Sequence, residues 1–281
     1  LLGFFTAHGI GTKKDIAKGV HLILSSSAGD FIDQFATEIG IYYSMKNDEE
    51  EGQKEVFKWF QKAFTMRKTR ATINNYGVCY MIGIGVDKSI EKAKEIFQLG
   101  VDKNDANSMY HIGFILEGTE KEESLKYYKK AAELGDPRSQ LAFAKLIEEK
   151  DPNLSLQFYK RAAERNVVEA LEILAMKYAS ENDTENAVKY VSALIKQGGF
   201  QFPLKYGIDL YRKKQVKQSF LIFEALSEFN HPIAKYFIAV MKFRGEGCIQ
   251  NKDESLEIMK SLSNQGVDKA TEFLEKLSFM K

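Results

Sequence analysis

Apolar residues recur along this chain at helical spacing, in short blocks separated by glycine, asparagine and charge. Tyr76, Val78, Cys79, Met81 and Ile82 make one such block. Leu125, Tyr127, Tyr128, Ala131 and Ala132 make another, with Lys126, Lys129, Lys130 and Glu133 between them. Both patterns predict amphipathic helices. A small residue sits inside each block of the first kind: Gly3, Gly40, Gly77, Gly113, Ala144, Ala175, Gly207 and Ala239. Successive members lie 31 to 37 residues apart, the period of a helical-hairpin array. In three copies a G-x-G follows six positions on: Gly9-Ile10-Gly11, Gly83-Ile84-Gly85 and Gly245-Glu246-Gly247.

Two further columns keep the same register. A helix-ending column reads Gly29, Arg67, Asn104, Gly135, Asn166, Gly198, Asn230 and Gly266. Glycine and asparagine tolerate the left-handed conformation just past a helix. In six of the eight repeats the second helix opens on a capping side chain, at Asp15, Ser89, Thr119, Asp151, Asp183 and Asn251. Glu122 and Glu254 stand where a capping box places them, and Pro152 stands at a first helical position. Each repeat therefore reads as helix A, turn, helix B. One hairpin cannot cover its own apolar face, so neighbours must stack. The expected fold is all-α, a right-handed α-solenoid of about eight antiparallel helix hairpins. It forms a single repeat domain over 1–281, with repeats near 1–30, 31–68, 69–105, 106–136, 137–166, 167–199, 200–230 and 231–267, and a terminal helix in 268–281. The small residues should seat tight helix contacts, so that Gly113→Leu costs ~1–3 kcal/mol. The alternation from Phe200 to Tyr211 suggests a strand by itself; the repeat register makes Leu204 onward a helix A instead.

The segment Ala71 to Val86, with Ser89, Lys92 and Ala93, resembles the Sel-one-like repeat (SLR) family, relatives of the tetratricopeptide repeats. Ala106 to Asp136, ending Ala131-Ala132-Glu133-Leu134-Gly135-Asp136, and Gly3 to Asp30 resemble it too. The repeats from Ala144 to Asn230 are short, have lost the G-x-G and look closer to tetratricopeptide length. The resemblance implies an adaptor or scaffold. It also implies alternatives: an activator, regulatory subunit or tail of an enzyme such as a ubiquitin-ligase complex, a cell-wall synthase or a kinase, or a repeat-family hydrolase. Cys-rich members carry a disulfide in each repeat; this chain has only Cys79 and Cys248. Those two belong to distant repeats and are not expected to pair.

Composition narrows the partner. Forty Lys and Arg against 39 Asp and Glu leave a formal charge of +1 over 281 residues. A protein that displaces counterions from nucleic acid needs a basic excess, so no nucleic-acid partner is expected. No apolar run approaches the ~20 residues of a membrane span. The chain opens Leu1-Leu2-Gly3-Phe4-Phe5, without an initiator Met and in mid-helix, and reads as a piece of a longer protein with no signal-peptide pattern. The sequons at Asn153 and Asn182 are about what twelve asparagines supply by chance, and a cytoplasmic setting is favoured over the ER lumen.

Candidate chemistry is sparse. The G-x-G turns lack the strand, third glycine and later acid of a dinucleotide site. His8, His21, His111 and His231 show no metal-ligand spacing, and His111 reads as a packed or surface residue. Asp48-Glu49-Glu50-Glu51 lacks the alternating ligands of a calcium loop and reads as a solvated turn. Trp59, Phe60, Tyr127, Tyr128, Phe158, Tyr159 and Phe223 recur at one helix B position, as core does. No catalytic residue, cofactor or metal site is expected. The expected role is noncatalytic binding of a protein, a peptide or a partner helix on the concave helix A surface. The candidate positions lie three before and one or four after the small residue: Thr37, Asn74, Met81, Tyr110, Lys145, Glu172, Met176, Tyr211, Tyr236 and Phe243.

Overall fold

A computed structural model of the chain describes residues 50–278. The described residues form fourteen α-helices and no strand. They fall in two compact units, one ending at Leu146 and the other beginning at Ile147. The first unit holds α1 (Glu50–Met66), α2 (Arg70–Ile82), α3 (Ile90–Val101), α4 (Ala106–Leu116), α5 (Lys121–Glu133) and nearly all of α6 (Pro137–Ile147). The second holds α7 (Pro152–Glu164), α8 (Val168–Ser180), α9 (Thr184–Lys196), α10 (Gln201–Arg212), α11 (Val216–Glu228), α12 (Pro232–Arg244), α13 (Lys252–Asn264) and α14 (Asp268–Ser278). Helices pack in sequential pairs, α2 on α3 and α4 on α5, then α8 on α9, α10 on α11 and α12 on α13. The segment after Phe200 is helical throughout, as the register requires. The positions at Gly3, Asp15, Gly29 and Gly40 lie outside the described residues.

The small-residue column seats a close contact between the helices of the described hairpins. A Cβ built on Gly77 would lie 2.5 Å from the Phe97 ring, and one on Gly113 2.9 Å from the Tyr128 ring. Ala144, Ala175 and Ala239 are fully buried. With no long side chain over it, the small residue also leaves its carbonyl open. Ser124 Oγ donates to Gly113 O at 2.7 Å, Ser219 Oγ to Gly207 O at 2.8 Å and Ser255 Oγ to Ala239 O at 2.6 Å. All three serines are buried on helix B.

The turns explain the remaining columns. Asn104, Asn166 and Asn230 have φ of 56°, 59° and 58°, and Gly135, Gly198 and Gly266 lie at 91°, 82° and 81°. In the two described copies of G-x-G the two glycines do different work. Gly83 and Gly245 are left-handed C-caps. Gly85 and Gly247 are left-handed too, but they also press on the preceding helix B: a Cβ on Gly85 would lie 2.1 Å from Gln53 O, and one on Gly247 2.4 Å from Val216 O. In two of the short repeats a single left-handed residue, Asn182 at 57° or Lys214 at 62°, closes the turn between helix A and helix B.

Ser89, Asp151, Asp183 and Asn251 cap helix B as expected, each side chain accepting from an N–H three residues on. Thr119 does not. The N–H groups of Thr119 and Glu120 both donate to Leu116 O, which holds Thr119 inside the turn. Helix α5 follows Glu120 without a side-chain cap, and Glu122 and Glu123 place negative charge at its positive end instead. The Asn251–Glu254 capping box is half made, because the Glu254 carboxylate accepts from Lys242 and from the Asn251 amide. The acidic run is not a turn at its far end: Glu50 opens α1 and pairs with Lys54 at 2.7 Å. Asp48 and Glu49 lie outside the described residues.

Candidate interaction surface

Helix A residues do two jobs, and the structure separates them. Asn74, on α2, reaches the start of the next helix A. Its Nδ2 donates to Asp105 Oδ2 at 2.8 Å and to Arg70 O at 2.9 Å, and Ser108 Oγ lies 3.1 Å from its Oδ1. Asp105 is itself the N-cap of α4, accepting from Ser108 N at 3.0 Å. One repeat further on, Asp136 accepts from Ser139 N at 2.8 Å, and Arg138 Nη2 donates to Asn107 Oδ1 at 2.6 Å. The Arg138 guanidinium lies 4.2 Å over the Tyr110 ring. Asn74 and Tyr110 thus join neighbouring repeats. The buried Asp-x-x-Ser pairs Asp105/Ser108 and Asp136/Ser139 that organise this joint were not singled out from sequence, although an acid three residues before serine at a helix start is a capping pattern.

Four more candidates are committed to packing. Met81 is half-buried against the core around Cys79 and Phe97. Tyr236 packs on the core around Met259 and Leu262. Tyr211 donates to the Glu246 carboxylate and accepts from Arg244 Nη1 at 3.2 Å. Phe243 meets the Phe273 ring edge-on at 5.3 Å, with Lys252 over its face. Lys145, Glu172 and Met176 are exposed. Thr37 lies outside the described residues. Four exposed large apolar helix A residues were missed, Ile82, Phe114, Val168 and Ile233. Phe114 occupies the same offset as Met176, one past the small residue, so its signal was in the register.

Met176 borders a cleft of about 270 Å³ between α8 and α10. The Phe202 and Tyr206 rings stack at 5.8 Å on one wall, and buried Leu210 lies deeper. Lys205 and Lys213 stand exposed on the rim, while Asp209 faces Arg212 at 3.7 Å. An apolar floor with a polar rim is the usual anatomy of a recognition site for another chain.

The other polar candidates are structural. Cys79 and Cys248 are free thiols; burial pushes Cys79 up to about 12. Phe60, Tyr128, Phe158, Tyr159 and Phe223 are buried as core. Among the described residues no group of His, Cys, Asp and Glu could hold a metal ion, and no helix is long and apolar enough to cross a membrane. His8 and His21 lie outside the described residues. His111 stacks on Phe97 at 4.6 Å, and its Nδ1 is buried without a hydrogen bond. Burial, helped by the Arg138 charge, lowers it to about 4 from 6.5. The unfolded chain therefore binds the proton more readily than the folded one. Stability should be full above about pH 6.5 and fall as the pH drops toward 4. His111→Phe should flatten that slope without loss of stability at neutral pH, as read from denaturant midpoints across the range. An unchanged slope would place the titration elsewhere.

With the hairpins, caps and G-x-G turns in place, the comparison with known proteins is direct. The Sel1 repeat model matches residues 1–30, 72–105, 106–136, 146–167 and 232–267, a little over half of the chain. The chain belongs to the Sel1 repeat family. The longest stretch without a match, residues 168–231, is where the turn between helix A and helix B uses Asn182 or Lys214 instead of G-x-G. Among solved structures, a Sel1 repeat protein from Oxalobacter formigenes is similar at 18% identity and a TM-score of 0.57, covering 94% of this chain and 98% of that one. That likeness shows the Sel1 solenoid fold, a tetratricopeptide-like helical repeat. The protective antigen c5321 of uropathogenic Escherichia coli, with an SLR fold, matches at 17% identity and a TM-score of 0.49, covering 96% of this chain and 69% of that one. The immunity protein Pa5087 of Pseudomonas aeruginosa matches at 21% and 0.48, covering 73% and 80%. No curated protein matches the sequence. Sel1 repeats as a class mediate protein interactions.

Proposed function

We propose that this Sel1 repeat chain is a noncatalytic adaptor or scaffold, a single repeat array that binds a peptide or partner helix on its helix A residues. The observation that carries this reading is the cleft between α8 and α10, where exposed Met176 stands beside the Phe202–Tyr206 stack. A large apolar side chain left 52% exposed at the mouth of an apolar cleft gains from being covered. Lys145 in the first unit and Glu172 in the second are exposed charged positions of the same helix A reading, each in its own unit. The family setting supports the same reading, since its repeats serve interaction more than catalysis.

The test is affinity capture of partners from the source cell with the chain and with two variants, Met176→Glu and the double reversal Lys145→Glu/Glu172→Lys. All three positions are exposed, so folding should survive, and circular dichroism checks it. Partner recovery should fall at least tenfold with Met176→Glu, since a buried apolar hot spot is worth ~2 kcal/mol or more. Equal recovery from all three proteins would remove the helix A assignment.

A further inference from the structure

A second groove lies elsewhere in the second unit, on three helices that the helix A reading does not use together. It measures about 390 Å³, within the range of small recognition pockets. Phe220 on α11, Ile238 on α12 and Ile258 and Leu262 on α13 give it an apolar lining. Three carboxylates and two ammonium groups surround that lining: Glu224, Glu254 and Glu257 against Lys235 and Lys242. The lysines are already engaged. Lys242 pairs with Glu254, and Lys235 Nζ donates to Asn230 Oδ1 at 2.7 Å. Glu224 and Glu257 are exposed and have no ion-pair partner among the described residues. What the groove lacks is one or two cations carried on an apolar stem.

We infer that this groove docks a partner segment through an arginine or lysine side chain, its aliphatic stem on Ile238, Ile258 and Leu262 and its cationic head between Glu224 and Glu257. Arginine fits better than lysine. Its planar guanidinium is weakly hydrated and bonds carboxylates with several donors, so it loses less on leaving water. The long aliphatic stem covers apolar surface while the head stays with the carboxylates. An acidic segment would meet Glu224 and Glu257 with no free cation to answer it. This surface is independent of the Met176 cleft, and the two can hold different parts of one partner or two partners.

The chain supplies its own reporter. It has two cysteines; Cys79 is fully buried, while Cys248 is half-exposed in the turn between α12 and α13, its thiol raised first by burial and then by Glu254 and Glu224 against the opposing charge of Lys242. The probes are three amidated helical peptides with identical leucines and either arginine, glutamine or glutamate beside them. Fluorescence polarisation on the whole chain should show the arginine peptide binding about tenfold tighter than the glutamine peptide, and the glutamate peptide weakest. The double variant Glu224→Gln/Glu257→Gln should weaken the arginine peptide about tenfold and leave the melting temperature in place. Bound arginine peptide should slow alkylation of Cys248 by iodoacetamide at alkaline pH several-fold. Equal binding of the three peptides, no binding of any, indifference to the double variant or an unchanged alkylation rate would each overturn the inference. Met176→Glu should leave arginine-peptide binding unaltered, so failure here and failure of the helix A reading are read separately.

Discussion

Gly77→Leu should destabilise the first unit by ~3 kcal/mol or more, at the upper end of what overpacking costs, and lower its melting temperature by about 10 °C. Even the first added carbon would lie 2.5 Å from Phe97 Cε1 and 2.8 Å from Cζ. Phe97 has no accessible surface, so its ring has nowhere to swing. The same change should cost less at Gly113, where the nearest Tyr128 atom is 2.9 Å from the new Cβ, and less again at Gly207, where Phe223 is 3.0 Å away. Gly118 is the control: it has a turn backbone at negative φ, nothing lies within 4 Å of its Cβ, and Gly118→Ala should be neutral. Thermal melts of the four variants should rank in that order. A Gly77→Leu protein as stable as the parent would mean that α2 does not lie on α3 in this register.

Gly85→Ala should cost ~3 kcal/mol, far more than one methyl group suggests. Two penalties add there. The left-handed backbone at φ 63° costs an L-residue ~1–2 kcal/mol. The new Cβ would also lie 2.1 Å from Gln53 O and 2.8 Å from Lys54 Cα. Those atoms are helix backbone in α1 and cannot rotate aside as a side chain can. Gly135→Ala separates the two terms. Gly135 has φ 91° but open space around its Cβ, so only the conformational term applies, and the loss should be ~1–2 kcal/mol. Chemical denaturation of both variants reads the difference. Equal losses would show that the second glycine of G-x-G serves backbone conformation alone, and that the close approach to the preceding helix B is not sustained.

The repeat was legible because its marks are local. A left-handed turn needs glycine or asparagine whatever surrounds it, and six of the predicted positions from Asn104 to Gly266 adopt it. The capping residues at Ser89, Asp151, Asp183 and Asn251 act through bonds three residues long. Thr119 misleads for the same reason that it looked convincing: capping is decided by where the preceding turn closes, and Leu116 O accepts two N–H groups there. Asp105 and Asp136 went unnoticed because their importance comes from burial and from Asn74 and Arg138, residues two or 31 positions away.

The surface was far less legible. A helix A position three before the small residue can face a partner or the next repeat, and its identity does not say which. Asn74 and Tyr110 are polar or amphipathic, as a binding residue would be, yet both spend those properties on the neighbouring hairpin. Met176, equally plausible as core, stands exposed.

By itself the sequence determined the helical hairpin, its period, its turns and its buried small-residue column, because each depends on backbone conformation and short-range sterics that a few residues encode. Only the tertiary structure decided which helix A side chains are spent between repeats and which face outward. It also decided why G-x-G needs its second glycine, and where Glu224 and Glu257 come to flank one apolar groove. These depend on the distance between helices that the chain order leaves unspecified. Packing sets that distance through the volumes of side chains such as Phe97, Tyr128 and Phe223.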